Sequence, residues 1–401
     1  MATVYLHGGM PKTGTTYIQQ FLKDNSEILK ENGAVFPDFS DLFPEIYHDG
    51  RDSIAVRRNG YWLNKVSWKE EASVKVLERI GTLAGQYEKI ILSDEMLWNR
   101  KFNRDAFWQL FQKHLKIYGI ELKAVFYLRR QDAFIYSIWA QHIKTMRDAP
   151  YQTYTLKQFL DEDFHNYYKL DYLSVLETME RQIGRENMIP RVFEIGQFGG
   201  GAHTLLSDFF EAVDLPLTDA YRKPAQLQNE SLKDSVLEAK RHLNQVTEFR
   251  ELDAASRKDF ADCLLLAQKA LEDKGCLQDR TAFPNTERSR FLRDYEAGNA
   301  ALAKKYFDRE KLFLDEIPDT DVPEEEFTTE ELMVVCGQVM LQMLDKISGQ
   351  RSRRRETAAK NKLLQLENKK LRERALAAEK EISRLRKKPL RALLRSRSKR
   401  Q

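Results

Sequence analysis

A chain of 401 residues with 42% hydrophobic and 31% charged residues is too apolar for a disordered polymer and long enough for one large domain with appendages. Its net charge of +4 hides an uneven distribution, so the average excludes no partner class. Cys263, Cys276 and Cys336 lack CxxC spacing, which argues against a disulfide framework or zinc site, and no apolar run approaches the roughly 18 residues of a membrane span. The first residues lead straight into an apolar strand without a signal-peptide pattern, so the expected location is cytoplasmic.

In chain order, residues 3–7 read as a strand and 15–30 as a helix with apolar Tyr17, Ile18, Phe21, Leu22 and Ile28. A helix over 72–87 precedes a strand at 90–92, and a strand over 122–128 runs at once into a helix over 132–146. A strand at 188–193 precedes a helix over 205–213. Continuous apolar strands alternating with helices predict an α/β fold, a parallel β-sheet flanked by helices. Residues 229–307 read as helical, with turns near Gly275 and Pro284, and are expected to cover the sheet and wall a substrate cleft.

The expected boundaries are a main domain over 1–315, an acidic linker over 316–331, a short apolar helix over 332–349 and a basic helical tail over 350–401. Residues 315–331 hold nine acidic and no basic residues, with Pro318 and Pro323. In the tail, Leu364, Leu371, Ala378 and Leu385 recur every seven residues, with Asn361, Asn368, Ala375 and Ile382 at the complementary positions. That spacing predicts a C-terminal coiled coil and a homo-oligomer, with a solvated single helix as the alternative. Residues 387–400 carry seven basic and no acidic residues among Leu390, Leu393 and Leu394. Such a segment suits peripheral contact with an anionic membrane face, non-specific nucleic-acid binding, or free solvation; no specific nucleic-acid partner is expected.

The chemistry concentrates at Leu6-His7-Gly8-Gly9-Met10-Pro11-Lys12-Thr13-Gly14-Thr15-Thr16. A turn between strand and helix converges backbone N–H groups and the positive helix end on an anion. Gly8, Gly9 and Gly14 permit close approach, Pro11 stiffens the turn, Thr13, Thr15 and Thr16 add hydroxyls, and Lys12 adds a mobile charge. A triphosphate loop places Lys directly after its last Gly. Here Lys12 precedes Gly14 by two residues, and no magnesium carboxylate is evident downstream.

Pro-Lys-Thr-Gly-Thr-Thr after a first strand resembles the 5′-phosphosulfate loop of the sulfotransferases that use 3′-phosphoadenosine 5′-phosphosulfate (PAPS), in particular bacterial-type members of that P-loop fold. Arg129 and Ser137, eight residues apart across a strand end and the next helix, resemble the family's 3′-phosphate site, with Arg130 as the adjacent alternative. Gln131 stands where the family often has Pro, and the late Gly-rich nucleotide loop of animal cytosolic members is not recognisable. Residues 288–307 stand where some bacterial-type relatives close over the donor, which makes Arg290 and Asn299 candidates there.

The resemblance implies sulfuryl transfer from PAPS, as co-substrate and without a metal, to an acceptor hydroxyl of a carbohydrate or glycolipid. Lys12 would stabilise the leaving group, and Pro11, Lys12, Thr13, Gly14, Thr15, Thr16, Arg129 and Ser137 would bind the donor. The strand at 90–92 delivers Asp94 and Glu95 to the expected edge; Glu95 is the first candidate base, with capping by either carboxylate, His7 and His142 as alternatives. The other readings left open are a catalytically inactive nucleotide-binding coiled-coil scaffold and a P-loop kinase.

Overall fold

The computed structural model describes residues 1–37, 42, 71–94, 98, 104–145, 150–161, 169–200, 204–222, 231–246, 251–277, 281–318 and 328–397. The first half contains β1 (Thr3–His7), α1 (Thr15–Asp24), α2 (Ser26–Glu31), β2 (Ala34–Val35), α3 (Glu71–Ala84), β3 (Lys89–Ser93), α4 (Arg104–Ile117) and β4 (Glu121–Leu128). Then follow α5 (Gln131–Thr145), α6 (Leu156–Asp161), α7 (Tyr172–Ile183), β5 (Met188–Val192) and α8 (Leu205–Ala212). The chain continues through α9 (Asp234–Leu243), α10 (Ala254–Asp273), α11 (Asn285–Phe307) and α12 (Thr329–Arg397).

Among the described residues five strands pair in parallel in the order β2-β3-β1-β4-β5; the sheet is parallel, as the apolar runs predict, and β2 joins the four expected strands. Alternation along the strands divides the core. Tyr5, Ile91, Val125 and Tyr127 face a smaller layer with Ile18, Phe21, Phe209 and Phe210 from α1 and α8. Val4, Leu6, Leu92, Phe126 and Leu128 face the larger layer supplied by α3, α4, α5 and α7 and extended by α9 and α10.

From β1 the chain winds toward β2, whereas from β4 it winds toward β5. The order therefore reverses between β1 and β4, where doubly wound sheets open a crevice beyond the strands' carboxyl ends. The residues directly after β1 and after β4 are those two loops.

The helix expected over 15–30 breaks at Asn25. Its side-chain amide donates to the carbonyls of Phe21 (2.9 Å) and Arg222 (3.0 Å), and its Oδ1 accepts from the Arg222 amide (2.7 Å). This buried tie to a distant segment outweighs continuation of the helix. At the other end, one helix, α12, spans both the apolar stretch and the basic tail, with Gly349 inside it. Val335 and Val339 of its first turns are buried against the body, and Lys346 pairs with Asp259 (2.9 Å) and Asp262 (3.4 Å) of α10. No helix among the described residues is long and apolar enough to cross a membrane.

Candidate functional site

His7 and Ser93 are register partners at the ends of β1 and β3, as are His7 and Val125 on β1 and β4. The loop leaves β1 with the Gly8 amide donating to the Val125 carbonyl at 3.0 Å. Thr13 closes it inward, its hydroxyl donating to the Met10 carbonyl at 2.7 Å. Lys12 and Gly14 both take left-handed backbone, at φ 69° and 76°, and Gly14 caps α1 without a side-chain hydrogen bond. For lysine that conformation is unfavourable, the kind of local strain found where a loop is shaped for a ligand.

Thr15, the first residue of α1, is buried, and its hydroxyl has no hydrogen-bond partner among the described residues. An orphaned buried hydroxyl beside a helix N-terminus fits an incoming anion oxygen. Thr16 is exposed and Pro11 half-buried. The turn thus brings the left-handed Lys12 and Gly14 and the unpartnered Thr15 hydroxyl together at the start of α1.

Arg129, just past β4, donates from Nη1 to the carbonyl of Lys12 at 2.8 Å. Its guanidinium lies 5.7 Å from the Phe193 ring centre, and its own carbonyl accepts from the Tyr172 hydroxyl at 2.7 Å. Burial pushes the guanidinium pKa down, and the hydroxyl of Tyr172 and the carboxylate of Asp132 act against that. Arg130 turns away and binds Asp132 at 2.8 Å. Arg288 grips the same buried carboxylate from α11, also at 2.8 Å. Burial alone would raise the Asp132 pKa; the hydrogen bond and charge of Arg130, with Arg288, hold it below the usual range. Of the two neighbouring arginines, Arg129 is the one joined to the loop.

Ser137 lies half-buried on the second turn of α5, the helix that starts two residues after Arg129. Asn299 exchanges two hydrogen bonds with Gln131, at 2.8 and 3.1 Å, so it braces the start of α5. Arg290 is exposed. Glu95 lies outside the described residues. Its neighbour Asp94 is buried, and its amide donates to the His7 carbonyl at 2.9 Å, which holds the end of β3 beside the root of the loop.

His7 is fully buried, and burial lowers its pKa to about 3. Its Nδ1 meets Ser93 Oγ at 3.0 Å, and that oxygen also accepts from Gln19 at 2.9 Å. A neutral ring packed between Tyr127 and Phe209 and sealed under Gly9 supports the loop from below. His142 is likewise packed, against Tyr151 and Phe159.

Lys144, in the last turn of α5, was invisible to sequence reasoning. Burial first, and then the charge of Lys12, lower its pKa to about 8. The two ammonium groups are therefore within electrostatic reach, and α5 runs from the Arg129 corner to a second cation near the loop. No local motif signals this, because the pairing depends on how α5 crosses the sheet edge. Among the described residues no group of three or more His, Cys, Asp and Glu is placed to hold a metal ion.

No family model and no curated protein matches this chain. Among solved structures, the crystal structure of a sulfotransferase from Alicyclobacillus acidocaldarius is similar at 11% identity and a TM-score of 0.34. That likeness covers 63% of this chain and 98% of the other.

Proposed function

We propose that the protein is a sulfotransferase that binds PAPS across the β1/β4 crevice and transfers its sulfuryl group to an acceptor hydroxyl. The observation that carries this reading is the direct bond between the two strand-end elements, Arg129 Nη1 to the Lys12 carbonyl. It joins an anion loop to a guanidinium at the switch point, the arrangement a nucleotide with two separate phosphate groups requires. The resemblance of 11–16 and of the Arg129/Ser137 pair to PAPS sites supports the choice of nucleotide.

In this reading the loop amides with Thr15 and Thr16 hold the 5′-phosphosulfate, and Arg129 and Ser137 hold the 3′-phosphate. The acceptor oxygen attacks sulfur while the bond from sulfur to the bridging oxygen breaks. The acceptor's proton passes to Glu95, and 3′-phosphoadenosine 5′-phosphate leaves. Lys12 neutralises the charge that grows on the bridging oxygen, so positioning and electrostatics supply most of the acceleration. A saccharide hydroxyl is the acceptor class put forward.

Calorimetric titration with 3′-phosphoadenosine 5′-phosphate tests the donor site. We expect binding, and adenosine 5′-phosphate weaker by about 10- to 100-fold, the worth of charged hydrogen bonds to the 3′-phosphate. Arg129→Ala should erase that discrimination. No binding overturns the proposal, and preference for ATP with magnesium replaces it with a kinase. Binding without product from labelled PAPS across saccharide and glycolipid acceptors replaces it with an inactive nucleotide-binding scaffold.

A further inference from the structure

The first turns of α12 are covered by the body of the protein, and the described side chains over 360–384 are exposed. Beyond Lys346, Leu364, Leu371 and Ile382 are 46, 59 and 51% exposed. These three, 7 and 11 residues apart, fall on the heptad stripe that Asn361, Asn368, Ala375 and Ala378 continue, the signature of a left-handed supercoil, whereas Leu376, 57% exposed, lies off it. Numbering that stripe as heptad core positions fixes the residues flanking it. Glu367, Arg374 and Glu381 fall on one flank, and Arg372, Glu379 and Arg386 fall on the other.

In two parallel helices in register, each residue of the first flank faces the residue five positions later on the partner's second flank. The resulting pairs are Glu367 with Arg372, Arg374 with Glu379, and Glu381 with Arg386. All three join opposite charges, and symmetry forms each one twice. Glu381 also lies 3.8 Å from Arg384 of its own helix, an exposed pair of small worth that offers little competition.

The core positions choose the same geometry. Asn361 and Asn368 share one core position with Ile382, and Leu364 and Leu371 occupy the other. Parallel pairing puts each Asn against its own copy, where the amides can bond each other, whereas antiparallel pairing sets it against the other core position, Leu364, Leu371, Ala378 or Leu385, none of which offers an amide partner. Ile with Asn at the first position and Leu at the second favours two strands. The favourable register ends at Pro389, which occupies the next core position.

We propose that residues 361–388 of two copies of this chain form a parallel, in-register, two-stranded coiled coil. Four heptads span about 42 Å at 1.5 Å per residue. Parallel pairing places both globular bodies at one end of the rod and both basic segments, 387–400, at the other. The two Asn layers and the alanines Ala375 and Ala378 weaken the seam, so the dimer is reversible with concentration.

The test is static light scattering over a concentration series on the full chain under reducing conditions, with Glu367→Arg/Glu381→Arg and its complement Arg372→Glu/Arg386→Glu. Wild type should dimerise. Each swapped chain alone should dimerise at least roughly 30-fold more weakly, because four of six flanking pairs become repulsive. An equimolar mixture of the two should recover a heterodimer, since every swapped pair is then opposite in charge. Leu371→Asn, which leaves the flanks untouched, should weaken wild-type association as well. Titration with 3′-phosphoadenosine 5′-phosphate and the circular dichroism melt check that each variant keeps the wild-type fold. A wild type that stays monomeric at every concentration overturns the proposal. So does a dimer indifferent to the swaps, or a mixture that fails to recover.

Discussion

Gly14 meets two independent demands. Its φ of 76° lies in the left-handed region, and a Cβ there would stand 2.3 Å from Leu205 Cδ2. The backbone demand costs a non-glycine residue about 1–2 kcal/mol. The clash involves the end of a flexible side chain on α8, so part of it is relieved by rotation of Leu205. Gly14→Ala should therefore lower stability by roughly 1–3 kcal/mol and weaken 3′-phosphoadenosine 5′-phosphate binding at least tenfold. Adding Leu205→Ala removes the clash but not the strained φ. The double variant should regain the clash component, offset by the loss of Leu205 packing, without regaining affinity, as measured by thermal melts and calorimetry. Recovered affinity would show that the loop needs space at this position rather than its left-handed turn.

At the scale of elements, the strands were legible because a sheet covered on both faces demands continuous apolar runs, and 3–7, 90–92, 122–128 and 188–193 supply them. β2 escaped notice because Ala34 and Val35 are too few to show a period. α7 carried its signal openly, with Asp171 as N-cap, Gly184 at its end and Val175, Leu176, Met179 and Ile183 on one face, yet no motif drew attention to it. Lys12, Arg129 and Thr15 were legible as a pattern of residue types beside strand ends. Lys144 was not, since its neighbour Lys12 is 132 positions away and meets it only through the path of α5. That path has a measurable consequence. An anion bound at the loop relieves the repulsion between the two ammonium groups and favours a protonated Lys144. Affinity for 3′-phosphoadenosine 5′-phosphate should hold below pH 8 and decline above it, as Lys144 loses its proton. Lys144→Met should bind more weakly at neutral pH and lose that alkaline decline in calorimetry at pH 7, 8 and 9. An unchanged affinity would place Lys144 outside the field of the bound anion.

Across the whole molecule, the helical layer formed by α9, α10 and α12 is fastened to the α/β core around a buried lysine. Lys240 is fully buried, with its ammonium 5.1 Å from the Phe260 ring centre and hydrogen-bonded to Asn244 Oδ1. Asn244 in turn donates to the carbonyls of Ile143 (2.9 Å) and Gln152 (2.8 Å), which links α9 to the end of α5. Burial lowers the Lys240 pKa from 10.5 to about 7. The sign follows from proton counts. Between pH 7 and 10.5 the unfolded chain holds a proton that the folded protein has released, so raising pH through this window stabilises the fold. Below pH 7 both states are protonated and the full cost of the buried charge is present. Lys240 alone then adds up to about 1.4 kcal/mol of stability per pH unit within the window. Lys240→Met keeps the stem packed on Phe260, removes the charge and leaves both Asn244 donor bonds in place. Urea melts should find it more stable than wild type at pH 6.5, with the difference shrinking or reversing by pH 9.5. Other titrating groups cancel in that difference. A constant deficit at both values would instead show that the ammonium is stabilised in place by its ring and amide partners.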